Sequence, residues 1–121
     1  MSTTDHRFVF SKNPLHHLPD FWKAQALVRI RALPEPGGIL RLRDLVFSFP
    51  PEEADARIAT WIDSVASEDR WSREALVDHV RSEFSTYTWL LKAMIERIGF
   101  DAIDRFCSDS GIFARYTCRR R

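Results

Sequence analysis

The segment Leu33-Pro34-Glu35-Pro36-Gly37-Gly38 constrains this chain more than any other. Two prolines end whatever helix precedes them, and two adjacent glycines supply the positive φ that a tight reversal needs. Before it, from about Pro19, Trp22, Ala26, Ile30 and Leu33 recur at helical spacing with Leu27 alongside, which leaves Lys23, Arg29 and Arg31 off the apolar stripe. Pro19 and Asp20 suit a helix start. After it, the chain reads as a strand from about Gly38 to Arg43 that runs on as an extended segment to Phe47. Upstream, Arg7-Phe8-Val9-Phe10-Ser11 is a short β-type run that Lys12-Asn13-Pro14 breaks. Strand, helix, short loop and strand make a βαβ unit, whose two strands are parallel and whose crossover is right-handed.

Two to three helices follow. Pro51-Glu52-Glu53 is a good first turn for a helix carrying Ala54, Ile58, Trp61, Ile62 and Val65. Ser72 is an N-cap for Leu76, Val77, Val80 and Phe84. Ser85 or Thr86 opens a third helix through Leu91, Met94, Ile95 and Ile98, with Gly99 as its stop and Phe100 folding back on Ile95. The chain then reads as a hairpin, Ile103 to Cys107, a turn at Ser108-Asp109-Ser110-Gly111, and Ile112 to Cys118. Ile112, Ala114, Tyr116 and Cys118 share one face. A lone parallel pair makes a poor sheet. The hairpin therefore joins it, in an α/β fold with a mixed sheet of about four strands flanked by helices.

At 121 residues the chain is one domain, residues 1–121. No apolar run approaches the ~20 residues of a membrane span, and Met1 to Arg7 has no signal-peptide layout. Cys107 and Cys118 have no metal-ligand spacing, and the turn sets Cys107 near Ile112 rather than opposite Cys118, so no disulfide is expected. A reducing cytoplasm is the expected setting. Lys and Arg number 18 against 17 acidic residues, and three of the 18 are the terminal Arg119-Arg120-Arg121. The body is slightly acidic and the tail is expected to be solvated and frayed. A basic end rather than a basic face argues against nucleic-acid binding.

Three pieces stand in a telling order. They are Ser11-Lys12-Asn13-Pro14-Leu15-His16-His17-Leu18-Pro19-Asp20-Phe21-Trp22-Lys23, then Pro36-Gly37-Gly38 leading into Ile39-Leu40-Arg41-Leu42-Arg43-Asp44, then Gly99-Phe100-Asp101 before the hairpin. This set resembles the C-terminal half of a class I S-adenosylmethionine-dependent methyltransferase, a Rossmann-like fold, and the resemblance covers nearly the whole chain. It implies that Asn13, Pro14, Leu15 and His16 are what remains of a cofactor site, at the strand end where open α/β sheets hold ligands. His16 and Asp44 become candidate catalytic residues, His16 as a base for an acceptor hydroxyl or amine. The plainer readings are solvated histidines at a turn and an Arg43–Asp44 ion pair. Trp61, Trp71, Phe84, Tyr87 and Trp89 fall where the family covers its acceptor, although aromatics at helical spacing are more often core. No metal is expected, because adjacent histidines point to different sides and no third ligand has suitable spacing.

The departure from the family is large. The four glycines are Gly37, Gly38, Gly99 and Gly111, and none forms a glycine-rich loop after a first strand. The acidic residue that would hold the cofactor's ribose is missing too. Its two hydrogen bonds are worth about 3–6 kcal/mol, roughly 2–4 orders of magnitude in affinity. The isolated chain is therefore expected to bind S-adenosylmethionine weakly and to be inactive, as a truncated remnant or a piece needing a complementary N-terminal half. The alternative is a non-catalytic interaction module. In the family the strand equivalent to Phe8-Val9-Phe10 has a neighbour on its outer edge. Here that apolar edge is expected to be bare and to promote self-association or pairing with the missing half.

Overall fold

The computed structural model describes residues 7–68 and 71–121. In chain order the elements are β1 (Phe8–Lys12), α1 (Asp20–Arg31), β2 (Ile39–Phe47), a 3-10 turn at Pro51–Glu53, α2 (Ala54–Ala66), α3 (Arg73–Ser82), β3 (Thr86–Tyr87), α4 (Thr88–Ile98), β4 (Phe100–Cys107) and β5 (Phe113–Arg120). The sheet order is β1-β2-β5-β4, with β3 added to the end of β2. β1 runs parallel to β2, Phe8 opposite Ile39 and Lys12 opposite Arg43. The hairpin joins on the other side of β2, with β5 antiparallel to it from Ile39–Arg119 to Leu45–Phe113. The mixed sheet is thus the expected one. Its fifth strand, β3, is two residues taken from what reads in sequence as the start of α4.

The strands alternate between two unlike faces. One carries Leu40 and Leu42 of β2 with Ala114, Tyr116 and Cys118 of β5, all buried beneath Leu27 of α1 and Leu91 and Ile95 of α4. Each such leucine contributes about 1.5–3 kcal/mol of apolar burial. Phe100 belongs to the same cluster as Ile95, as the fold-back reading requires. Among the described residues the second face is capped only at one end, where Leu45, Ile112 and Phe49 pack with Ile58 and Trp61 of α2 and with Phe113. A bulge between Ala102 and Asp104 re-phases β4 against β5.

The turns follow their residues. Gly37 holds φ +82 in the reversal and donates its N–H to the Arg120 carbonyl at 2.8 Å. Ser72 caps α3 by accepting from the Ala75 N–H at 3.1 Å. Gly99 stops α4 at φ +120, a left-handed conformation that favours glycine, and a Cβ there would stand 2.5 Å from Arg31 Nε, so the arginine side chain would have to shift.

Three expectations change. The buried residues of α1 are Lys23 and Leu27, whereas Trp22 is 57% exposed. Counting hydrophobicity favoured the tryptophan, but a lysine can bury its stem if its ammonium finds acceptors, and this one finds two. The arginine tail is not frayed. Arg119 and Arg120 are strand residues paired with Asp101 and Phe100. Arg120 Nη1 donates to the Pro34 carbonyl at 2.6 Å, and Arg121 reaches the Glu96 carbonyl at 2.6 Å and the Asp101 carboxylate at 2.7 Å. Cations suit these carbonyls, since Glu96 lies in the last turn of α4. Cys107 faces Ala114 rather than Ile112, Cys118 faces Ala102, and both thiols are free. The stretch before Arg7 lies outside the described residues.

Candidate functional site

The site begins where β1 ends. Asn13 takes a left-handed conformation, φ +57, which asparagine tolerates better than most residues. Its N–H donates to the Arg43 carbonyl at 2.7 Å and its Oδ1 accepts from Arg43 Nη1 at 3.2 Å, so the turn is tied to β2 from both sides. Pro14 then directs the chain over the end of the sheet. Leu15 turns its side chain into the core, leaving its N–H free to bond Asp44.

Asp44 organises this loop from the neighbouring strand. It is fully buried. Its carboxylate accepts from the Leu15 N–H at 2.7 Å, the His16 N–H at 3.2 Å and the Leu45 N–H at 2.8 Å. The fourth partner is His16 Nδ1, at 2.9 Å. An ionised carboxylate only accepts, so Nδ1 carries the hydrogen, and in the neutral imidazole Nε2 then holds the lone pair. Hydrogen bonds to a charged group are worth about 1.5–3 kcal/mol each, enough to hold the imidazole in one orientation. The expected Arg43–Asp44 ion pair does not form, because adjacent strand residues point to opposite faces. Arg43 lies over the Phe113 ring instead, 4.5 Å from its centroid. Nor is His16 solvated; it is 4% exposed.

The opposite wall comes from the inserted helices. A cavity of about 470 Å³ is lined by Asn13, His16, His17, Trp61, Trp71 and His79, among others. Of the aromatics singled out in sequence, Trp61 and Trp71 reach this cavity. Tyr87 packs with Phe47 and Phe49 and stacks on Trp89, while Phe84 and Trp89 are exposed. The segment after α3 closes onto the histidine loop. The Phe84 N–H donates to the His16 carbonyl at 2.6 Å, and His17 Nδ1 stands 2.7 Å from Glu83 Oε2. His79 Nδ1 is 4.0 Å from Glu83 Oε1. The His16 and His17 rings are 3.9 Å apart, and those of His16 and His79 are 5.4 Å apart. Neighbouring histidines thus lie together rather than on different sides, because the loop is a turn and not a strand. Burial lowers the His79 pKa, with Glu83 opposing and His16 and His17 adding to the shift.

Lys23 locks the arrangement. Its buried ammonium donates to the carbonyls of Leu18 and Phe84, joining the histidine loop to the segment after α3. Burial lowers its pKa, against the pull of Asp20 and Asp44. Sequence reasoning missed Lys23, His79 and Glu83. Lys23 could have been found by its place four residues before Leu27 on one helix face. The other two carry no such signal, since Glu83 is 66 positions from His17.

Solved structures resemble the whole of this architecture. The mitomycin 7-O-methyltransferase MmcR matches 99% of the chain at a TM-score of 0.64 and 16% identity. Human N-acetylserotonin methyltransferase, solved with S-adenosylmethionine, matches 100% of it at 0.55 and 13% identity. The chain has a partial methyltransferase fold. It spans about a third of those proteins, 31% in each case. A pericyclic reaction enzyme matches equally well, at a TM-score of 0.64 and 10% identity, so the shared fold does not by itself set the chemistry. No family model matches the chain, and no curated protein does. No helix among the described residues is long and apolar enough to cross a membrane.

Proposed function

We propose that this chain is the acceptor-side part of an S-adenosylmethionine-dependent O-methyltransferase, in which His16 removes the proton from an acceptor hydroxyl. The observation that carries this reading is the His16–Asp44 contact of 2.9 Å beside the cavity. Asp44 fixes the imidazole and stabilises the imidazolium that forms, while Nε2 is left to accept the proton. The aromatic walls, Trp61 and Trp71, suit a flat, largely apolar acceptor.

The residues present do not make a complete cofactor site. The turn from Asn13 to Pro19 contains no glycine, and the buried carboxylate beside it, Asp44 of β2, is already engaged by four N–H donors of this chain. Cofactor binding therefore depends on a complementary half, for which the outer edge of β1 and the bare face of the sheet are the proposed contact. Of the four residues of the suggested cofactor remnant, Asn13 and His16 line the cavity, and Pro14 and Leu15 do not.

Calorimetry on the isolated chain should show no S-adenosylmethionine binding tighter than about 10 μM, near −7 kcal/mol. Tighter binding would overturn the division into halves. With the complementary half supplied, His16→Gln should lower methyl transfer to a phenolic acceptor by about 10²–10⁴-fold, the usual worth of a general base, with cofactor affinity unchanged. Full activity in that variant would remove His16 from the mechanism.

A further inference from the structure

We propose that His16, His17 and Glu83 form a binding site for a divalent transition metal of the zinc class, with His79 at its edge. One ligand atom from each of the three lies within 4.8 Å of the others. The chain has four histidines, and three of them gather here from two separate segments around one carboxylate. Two imidazoles and a carboxylate are a ligand set that suits zinc and its neighbours rather than magnesium or calcium.

The outer shell argues the same way. A metal-binding histidine usually donates its remote N–H to a carboxylate, which orients the ring and raises its basicity. His16 does so to Asp44 at 2.9 Å, and that aspartate is itself held by three backbone N–H groups. The backbone bond from Phe84 to His16 and the Lys23 clamp fix the distance between the two ligand-bearing segments. The site also has an entry path and an open position, because it borders the cavity.

Bonds of about 2.0–2.2 Å in tetrahedral geometry set ligand atoms about 3.3–3.6 Å apart, so the 2.7 Å contact between His17 Nδ1 and Glu83 must open by under 1 Å, while the widest separation, within 4.8 Å, must close by up to about 1.5 Å. The side chain of His17 is 58% exposed, so its hydrogen can move to Nε2 in contact with water while Nδ1 takes the metal. The inference goes beyond the methyl-transfer reading and shares one atom with it. A metal on Nε2 of His16 occupies the lone pair that a base would use, so the two are exclusive states of the same imidazole.

The test is a cobalt(II) titration of the full chain at pH 7.5, followed by its visible absorption, with zinc displacement by calorimetry. One equivalent should bind with a dissociation constant of about 10 μM or tighter. His17→Ala and Glu83→Gln should each weaken binding at least 10-fold, and Cys107→Ser, at a free thiol outside the cluster, should leave it unchanged. Lack of a 1:1 complex, equal affinity in the two ligand variants, or loss of binding in Cys107→Ser would overturn the site. No cofactor or acceptor is present in this titration, and the His16→Gln assay is run in chelator, so either proposal can fail without the other.

Discussion

Arg41 and Leu42 are neighbours on β2, yet Leu42 is completely buried under α1 and α4 while Arg41 stands in solvent. The contrast extends across the sheet. On the covered face Leu40, Ala114, Tyr116 and Cys118 close against helices. On the other, Phe8 is 64% exposed and Phe10 is 73% exposed, beside exposed Arg41, Arg115 and Arg119. Parallel strands occur almost always in sheets covered on both faces. Among the described residues the second face carries helix only where α2 packs against it, and β1 stands at the edge of the sheet.

The sharpest way to break this comparison is to truncate both neighbours. Leu42→Ala should cost about 2–5 kcal/mol and Arg41→Ala no more than about 0.5 kcal/mol, read from denaturant midpoints. Similar costs would mean that the second face is covered after all. Next in size is association through the bare side. A buried phenylalanine is worth about 1.5–3 kcal/mol, so Phe8→Lys and Phe10→Lys should each weaken self-association at least 10-fold in light scattering. A wild-type chain that stays monomeric at ~100 μM, within the range where exposed edges aggregate, would refute the contact.

A smaller effect sharpens the covered side. The Tyr116 hydroxyl donates to the Thr88 carbonyl at 2.8 Å, and burial pushes its pKa up to about 12. Tyr116→Phe should cost about 0.5–1.5 kcal/mol at neutral pH. The sign of the pH effect follows from linkage. The unfolded chain loses this proton near pH 10 and the folded chain holds it to about 12, so stability falls as pH rises through that window. The substitution should flatten that part of the profile. Burial likewise lifts the Cys118 thiol to about 12, so a thiol reagent should label it only as the chain unfolds.

Much of this protein was legible along the chain because the signals were local. The Pro-Gly-Gly reversal, the Ser72 cap, the Gly99 stop and the one-faced alternation of Ala114, Tyr116 and Cys118 each depend on residues within a few positions of one another, whereas Ile112, just before β5, packs with Leu45 and Phe49 instead. Local sterics and period suffice to fix such features, and with them came the order of strands and helices. His16 and Asp44 were also found separately, by their places at the ends of two parallel strands.

Tertiary structure alone decided how those places meet. The bond between His16 and Asp44 spans 28 positions and that between His17 and Glu83 spans 66. Neither separation matches a helix or strand period, so no pattern along the chain encodes it. The burial of Lys23 in place of Trp22 depended on two carbonyls, one of them 61 positions away. The arginine tail became a strand because Gly38 and Gly99 offered it carbonyl acceptors, through the Arg120 and Arg121 N–H groups. Sequence period reports which side chains avoid water. Which polar groups are buried depends on the partners that folding brings to them, because an ammonium or imidazole enters the interior only where hydrogen bonds replace its water.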